Sequence, residues 1–224
     1  MKTKKSISLI AGITVALIIL FPACENKTAD LVSVAGSIDT MLDGSGDIYL
    51  VDTAKSVIEW IGSTPTNNQH NGILKLSNGQ FTVKENQLTS DTFTININSV
   101  TNLDQTGKDK SNLEGHLKDQ DFFEVEKYPF GNFIITKLQT DSIGQYVIGN
   151  LTLKEITNSI RIPVKLTIDA ESISAETPVF TIARTKWGIV YKSGIIGTLK
   201  DDLIRDDISL KIKVMAEKLP SKNL

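Results

Sequence analysis

The sequence predicts an all-β domain of about eight antiparallel strands with one short helix, and three observations carry that prediction. Apolar and polar residues alternate along most of the chain after Asp47, the period of a half-buried strand. Turn residues such as Asn78-Gly79 and Asp141-Ser142-Ile143-Gly144 separate the alternating runs. No helical pattern long enough for a crossover stands between them, so neighbouring strands pair antiparallel.

Lys2, Lys4 and Lys5 precede an uncharged apolar run from Leu9 to Phe21, 13 residues long. A membrane-spanning helix needs roughly 20, so the run reads as an export signal. Cys24, the only cysteine, follows directly. An intrachain disulfide is excluded, leaving a free thiol or, because the segment resembles a bacterial lipoprotein signal, an acylated first residue. Residues 1–23 are then signal, 24–46 a polar, small-residue tether, 47–217 the folded domain and 218–224 a tail. The expected location is the bacterial cell envelope, with the membrane reached through an acylated N-terminus.

Removing residues 1–23 deletes three lysines and no acid, which moves the net charge from −2 to −5. A mildly acidic domain lacks the clustered cations that bind phosphate backbones, and nucleic acid is excluded as a partner.

The strand runs follow in order. SVIEWIG (56–62) places Ile58 and Trp60 on one face; ILKLSNGQFTV (73–83) follows more loosely; TFTININS (92–99) alternates cleanly with Phe93, Ile95 and Ile97 inward. The one helical candidate is KDKSNLEGHLKDQ (108–120), where Leu113 and Leu117 stand at i, i+4. FIITKL (133–138), YVIGNLTL (146–153), IRIPVKLTI (160–168), VFTIA (179–183) and ISLKIKV (208–214) complete the set, the last with Ile208, Leu210, Ile212 and Val214 on one face. Such a meander closes either as a two-sheet sandwich or as a barrel. Strands of about nine residues at a tilt near 40° give a wall over 20 Å high, which favours the barrel.

The chemical inventory excludes more than it offers. His70 and His116 are the only histidines and the lone thiol lies in the signal region, too few ligands for a His/Cys metal site. No G-x-S-x-G elbow, P-loop or dinucleotide fingerprint is present. No catalytic cofactor is expected, and a Ser-His-Asp hydrolase is the last of the readings. Asp201, Asp202, Asp206 and Asp207 read as a solvated turn.

Three sets of residues remain as a candidate ligand site besides the rows Ile58–Trp60 and Phe93–Ile95–Ile97. Phe180, Ile182 and Arg184 share one face by the period of two, so a permanent cation continues an apolar row and needs a partner. That partner is either a carboxylate, Asp121 or Glu124, or a lipid head group. Trp187 either lines the mouth of an interior or closes the core. Phe122 and Phe123, side by side in HLKDQDFFEVEKYP, point to opposite sides if extended, one entering the interior and one sealing the helix. His116 either bonds a backbone carbonyl or touches a ligand, and His70, beside Asn71-Gly72, reads as a turn residue.

HNG (70–72), GHLKDQDFFEVEKYPFGNF (115–133), GNLTLKEITNSIRIPV (149–164) and RTKWGI (184–189) together resemble the YceI-like, polyisoprenoid-binding family, from about Tyr49 to Ala216. Ala183 and Val190 depart from the Asp and Arg often found there. The resemblance implies a lipocalin-like barrel with a lipid-filled interior, export, no catalytic cycle, and a bound polyisoprenoid, quinone or fatty acyl lipid. The expectation is therefore a carrier whose tail-binding site comprises the residues named above. The alternatives are a cavity-free sandwich serving interaction or adhesion, and a redox accessory holding a quinone.

Overall fold

A computed structural model describes residues 46–197, 199 and 203–220. The expected signal, the acylated Cys24, nearly all of the tether, Asp201 and Asp202 lie outside the described residues.

Eleven strands form one antiparallel sheet, three more than the alternation suggested, because short strands were read as continuations of their neighbours. They are β1 (Asp47–Val51), β2 (Val57–Ser63), β3 (Gln69–Lys84), β4 (Gln87–Asn102), β5 (Phe130–Thr140), β6 (Gln145–Leu153), β7 (Ile156–Pro163), β8 (Lys165–Ile168), β9 (Ser172–Glu176), β10 (Phe180–Ala183) and β11 (Asp207–Lys218). The helix α1 spans Gly107–Lys118 between β4 and β5. Among the described residues no helix is long and apolar enough to cross a membrane.

Strands β3 and β4 are the backbone of the wall, each 16 residues long. The expected turn at Asn78-Gly79 does not form. Register shifts between Ile73 and Lys75 and between Leu76 and Asn78 bend β3 instead, since a bulge uses the same small and polar residues as a turn. The real hairpin turns are Glu85-Asn86 and Lys154-Glu155, with φ of 51° and 63°, and of 47° and 62°. Paired positive φ values identify the turn geometry that matches strand twist.

The last strand closes the structure. The first half of β11 lies between β2 and β10, and its second half between β1 and β9. On the far side, the Val164 N–H donates to the Gln145 carbonyl at 2.8 Å and the Leu166 N–H to Gln145 Oε1 at 3.0 Å, joining β8 to β6. At the opposite end, Asn158 Nδ2 donates to the Lys186 carbonyl at 3.1 Å and Trp187 Nε1 to the Leu151 carbonyl at 3.0 Å. The sheet is thereby a closed lipocalin-like barrel and not a sandwich.

Close packing inside the wall explains the glycine of HNG. Trp60 pairs with Gly72 across β2 and β3, and a Cβ at Gly72 would fall 2.5 Å from the indole ring. The aromatic therefore lies flat over bare backbone.

Candidate functional site

Strand alternation aims one apolar face of nearly every strand at the barrel axis, and the side chains do not meet. They enclose a cavity of about 430 Å³, within the roughly 300–1,000 Å³ that holds a small organic ligand. Eleven of the twelve expected site residues line it: Ile58, Trp60, Phe93, Ile95, Ile97, Phe122, Phe123, Phe180, Ile182, Arg184 and Trp187. The face Ile208, Leu210, Ile212 and Val214 of β11 joins them, as do Leu74 and Leu76 of β3 and Leu151 and Leu153 of β6.

His116 is the exception. Its ring packs edge-on against Tyr191 at 4.6 Å and Phe122 at 5.1 Å, outside the cavity lining. It backs the phenylalanine that faces the interior. His70 belongs to the lining instead, in β3 and not in a turn.

Phe122 and Phe123 both face the cavity, and the expectation of opposite sides fails because the segment is a series of turns. The Phe122 N–H donates to the Asp119 carbonyl at 3.1 Å and the Phe123 N–H to that of Leu117 at 3.2 Å. Coiled backbone, unlike an extended strand, can turn two neighbouring rings the same way. Lys154 of the β6–β7 turn pins this segment, donating to the Phe122 carbonyl at 3.0 Å and pairing with Glu124 at 3.6 Å. The motifs around Phe122, Lys154 and Trp187 thus converge at one end of the barrel.

Arg184 is 3% exposed and stands just past β10, where the chain leaves the strand for a single 3-10 turn, Arg184–Trp187. Neither Asp121 nor Glu124 is its partner. Nη2 pairs with Asp206 at 3.3 Å, and the guanidinium donates to the carbonyls of Ile189 at 2.8 Å, Ile204 at 3.1 Å and Arg205 at 3.2 Å. Burial disfavours its charge and Asp206 counteracts that in part. Most of its donors are spent on protein, so it fastens the 188–206 segment across the end of the barrel. Asp206, read as part of a solvated run, is that fastening's acceptor.

The polar lining is concentrated at this same end. Ser63, Thr64, Asn68 and His70 line the cavity there beside Arg184, whereas Thr177 stands apart. Asn68 is exposed and His70 half-exposed, which marks the opening. The His70 Nδ1 lies 2.8 Å from Asp104 Oδ2. Burial opposes ionisation of Asp104, yet hydrogen bonds from His70, the Asn71 N–H and Asn102 outweigh it and hold the carboxyl below its ordinary value. Helix α1 covers part of the opening: Glu114 Oε1 accepts the Asn102 N–H at 2.8 Å, and Leu113 and Leu117 reach the lining. The far end is sealed by side chains such as Phe81, 1% exposed.

Residues 49–216 match the YceI-like domain. The chain belongs to the YceI-like family. A UPF0312 protein of Yersinia enterocolitica is 30% identical over 89 residues, which cover 40% of this chain and 44% of that protein. The chain thus matches less than half the length of that YceI-like relative. Among solved structures, Burkholderia cenocepacia BcnA aligns with a TM-score of 0.58 and 20% identity over 74% of this chain and 98% of its own. A polyisoprenoid-binding domain from Saccharophagus degradans, described as implicated in plant cell wall breakdown, aligns with a TM-score of 0.55 and 17% identity over 76% and 98%. Both likenesses speak for the YceI-like fold.

Proposed function

We propose that the barrel binds a long-chain isoprenoid or similar amphipathic lipid, tail inward and head at the mouth, as a carrier or reservoir. The observation that carries the reading is the enclosed cavity whose polar lining is concentrated around one opening. Each buried methylene contributes about 0.8 kcal/mol, so a dozen supply on the order of 10 kcal/mol before ordering costs, enough for micromolar retention without a charged anchor. The polyisoprenoid-binding neighbour supports an isoprenoid over other tails. Export and acylation of Cys24 belong to the same reading, supported by the order of lysines, apolar run and cysteine. The protein acts by binding and not by catalysis.

Organic extraction of the purified protein followed by mass spectrometry tests this. A stoichiometric polyprenyl or acyl species is expected, and a quinone would redirect the reading to a redox accessory. A protein that extracts empty and takes up no prenol on reloading would refute it.

A further inference from the structure

The end of the barrel at which the cavity opens carries a cluster of exposed aliphatic side chains: Ile195 at 66%, Ile196 at 58% and Leu199 at 77%. They sit at the tip of the segment that Arg184 fastens, and the roots of that segment, Ile189 and Ile204, line the cavity. The tip is built to project. Ser193 is wholly buried, its Oγ accepts the Ile195 N–H at 3.2 Å to cap the short 3-10 turn Gly194–Ile196, and Gly197 at φ 77° turns the chain.

Aliphatic surface held out on a structured tip marks a contact site. Three such side chains fall well short of the roughly 800 Å² per partner that a stable protein interface buries. They suit shallow insertion between lipid head groups. Between Arg184 and Asp207 five basic residues stand against four acidic ones, so the attraction is apolar and not electrostatic.

We propose that the loop of Ile195, Ile196 and Leu199 dips into a phospholipid bilayer and sets the cavity mouth at its surface. A lipid tail then passes from bilayer to barrel along Ile189 and Ile204 without crossing water. The transfer step rests on the carrier reading above; the insertion does not.

The test uses the full chain carrying Cys24→Ser, reconstituted on phosphatidylcholine vesicles, with a fluorophore on Ile196→Cys or, at the sealed end, on Ile143→Cys. Nitroxides on the acyl chains are expected to quench the label at 196 and spare the one at 143. Equal quenching at both, or none at 196, overturns the loop's role. With Ile195→Ser, Ile196→Ser and Leu199→Ser combined, uptake of a pyrene-labelled fatty acid from vesicles should slow by at least about tenfold, while uptake from detergent solution is unchanged. A native rate from vesicles also overturns the proposal. Absence of uptake by either route overturns the carrier reading alone, and the quenching then decides the loop.

Discussion

Arg184 and Asp206 meet at 3.3 Å across 22 residues of chain, the arginine just past β10 and the aspartate just before β11. The pair draws together the two ends of the segment that borders the cavity mouth. Arg184→Ala leaves three carbonyls and a half-buried carboxylate without their donor, and is expected to cost about 2–4 kcal/mol. Asp206→Asn should cost about 1 kcal/mol, because the carbonyls still accept. Urea unfolding of the two variants checks the order, and an Arg184→Ala midpoint equal to the parent's would contradict it.

Asp91 gives the barrel a pH dependence. It is fully buried on β4 opposite Phe81 and Ile135. Oδ1 accepts the Thr82 N–H at 3.0 Å, and Oδ2 has no hydrogen-bond partner among the described residues. Burial pushes the carboxyl up to about 7. The folded state therefore holds a proton that the unfolded state releases between about pH 4 and 7, and this contribution to stability falls as pH rises through that window. Asp91→Asn should be about 1–3 kcal/mol more stable than the parent at pH 8, with the gap closing toward pH 4. A gap independent of pH would count against it.

Gly72→Ala would drive a methyl group into the Trp60 ring and the Thr101 carbonyl behind it. Backbone on one side leaves only the indole to move, inward. The expected result is a loss of about 1–3 kcal/mol, a shift of tryptophan emission, and less extractable lipid. Emission and lipid content matching the parent's would show that the strand yields instead.

Ile95→Trp should fill the cavity from the middle of β4. Ile95 pairs with Leu76 and Gly131 and faces the interior, so the larger ring has the cavity to occupy. Far-UV circular dichroism should remain that of a β protein while extractable lipid is lost. A full lipid complement in that variant would refute occupancy of this space.

The wall of the site was legible because it depends on a short-range rule. Alternation puts Phe93, Ile95 and Ile97 on one face wherever β4 lies, and the same holds for Ile58 with Trp60 and for Phe180 with Ile182. Long-range pairing obeys no such rule. Asp206 was out of reach because its partner depends on how the 188–206 segment folds back, and charge runs are usually solvated. His116 was misplaced for a related reason: it shares its motif with Phe122 but stands behind that ring. The turns at Glu85-Asn86 and Lys154-Glu155 contain no glycine, whereas Asn78-Gly79 does and forms a bulge. Local composition marks where backbone is irregular without saying whether the strand ends there.

Strand β11 touches β1, β2, β9 and β10, and it is the final strand of the chain. Until those dozen residues have been synthesised and docked, the other strands form an open trough with its greasy floor in water. The hollow comes into being in the last step of folding, so a tenant enters either as the trough shuts or afterwards through the mouth. A chain truncated before Asp207 should expose that floor and aggregate, with no vessel left to load.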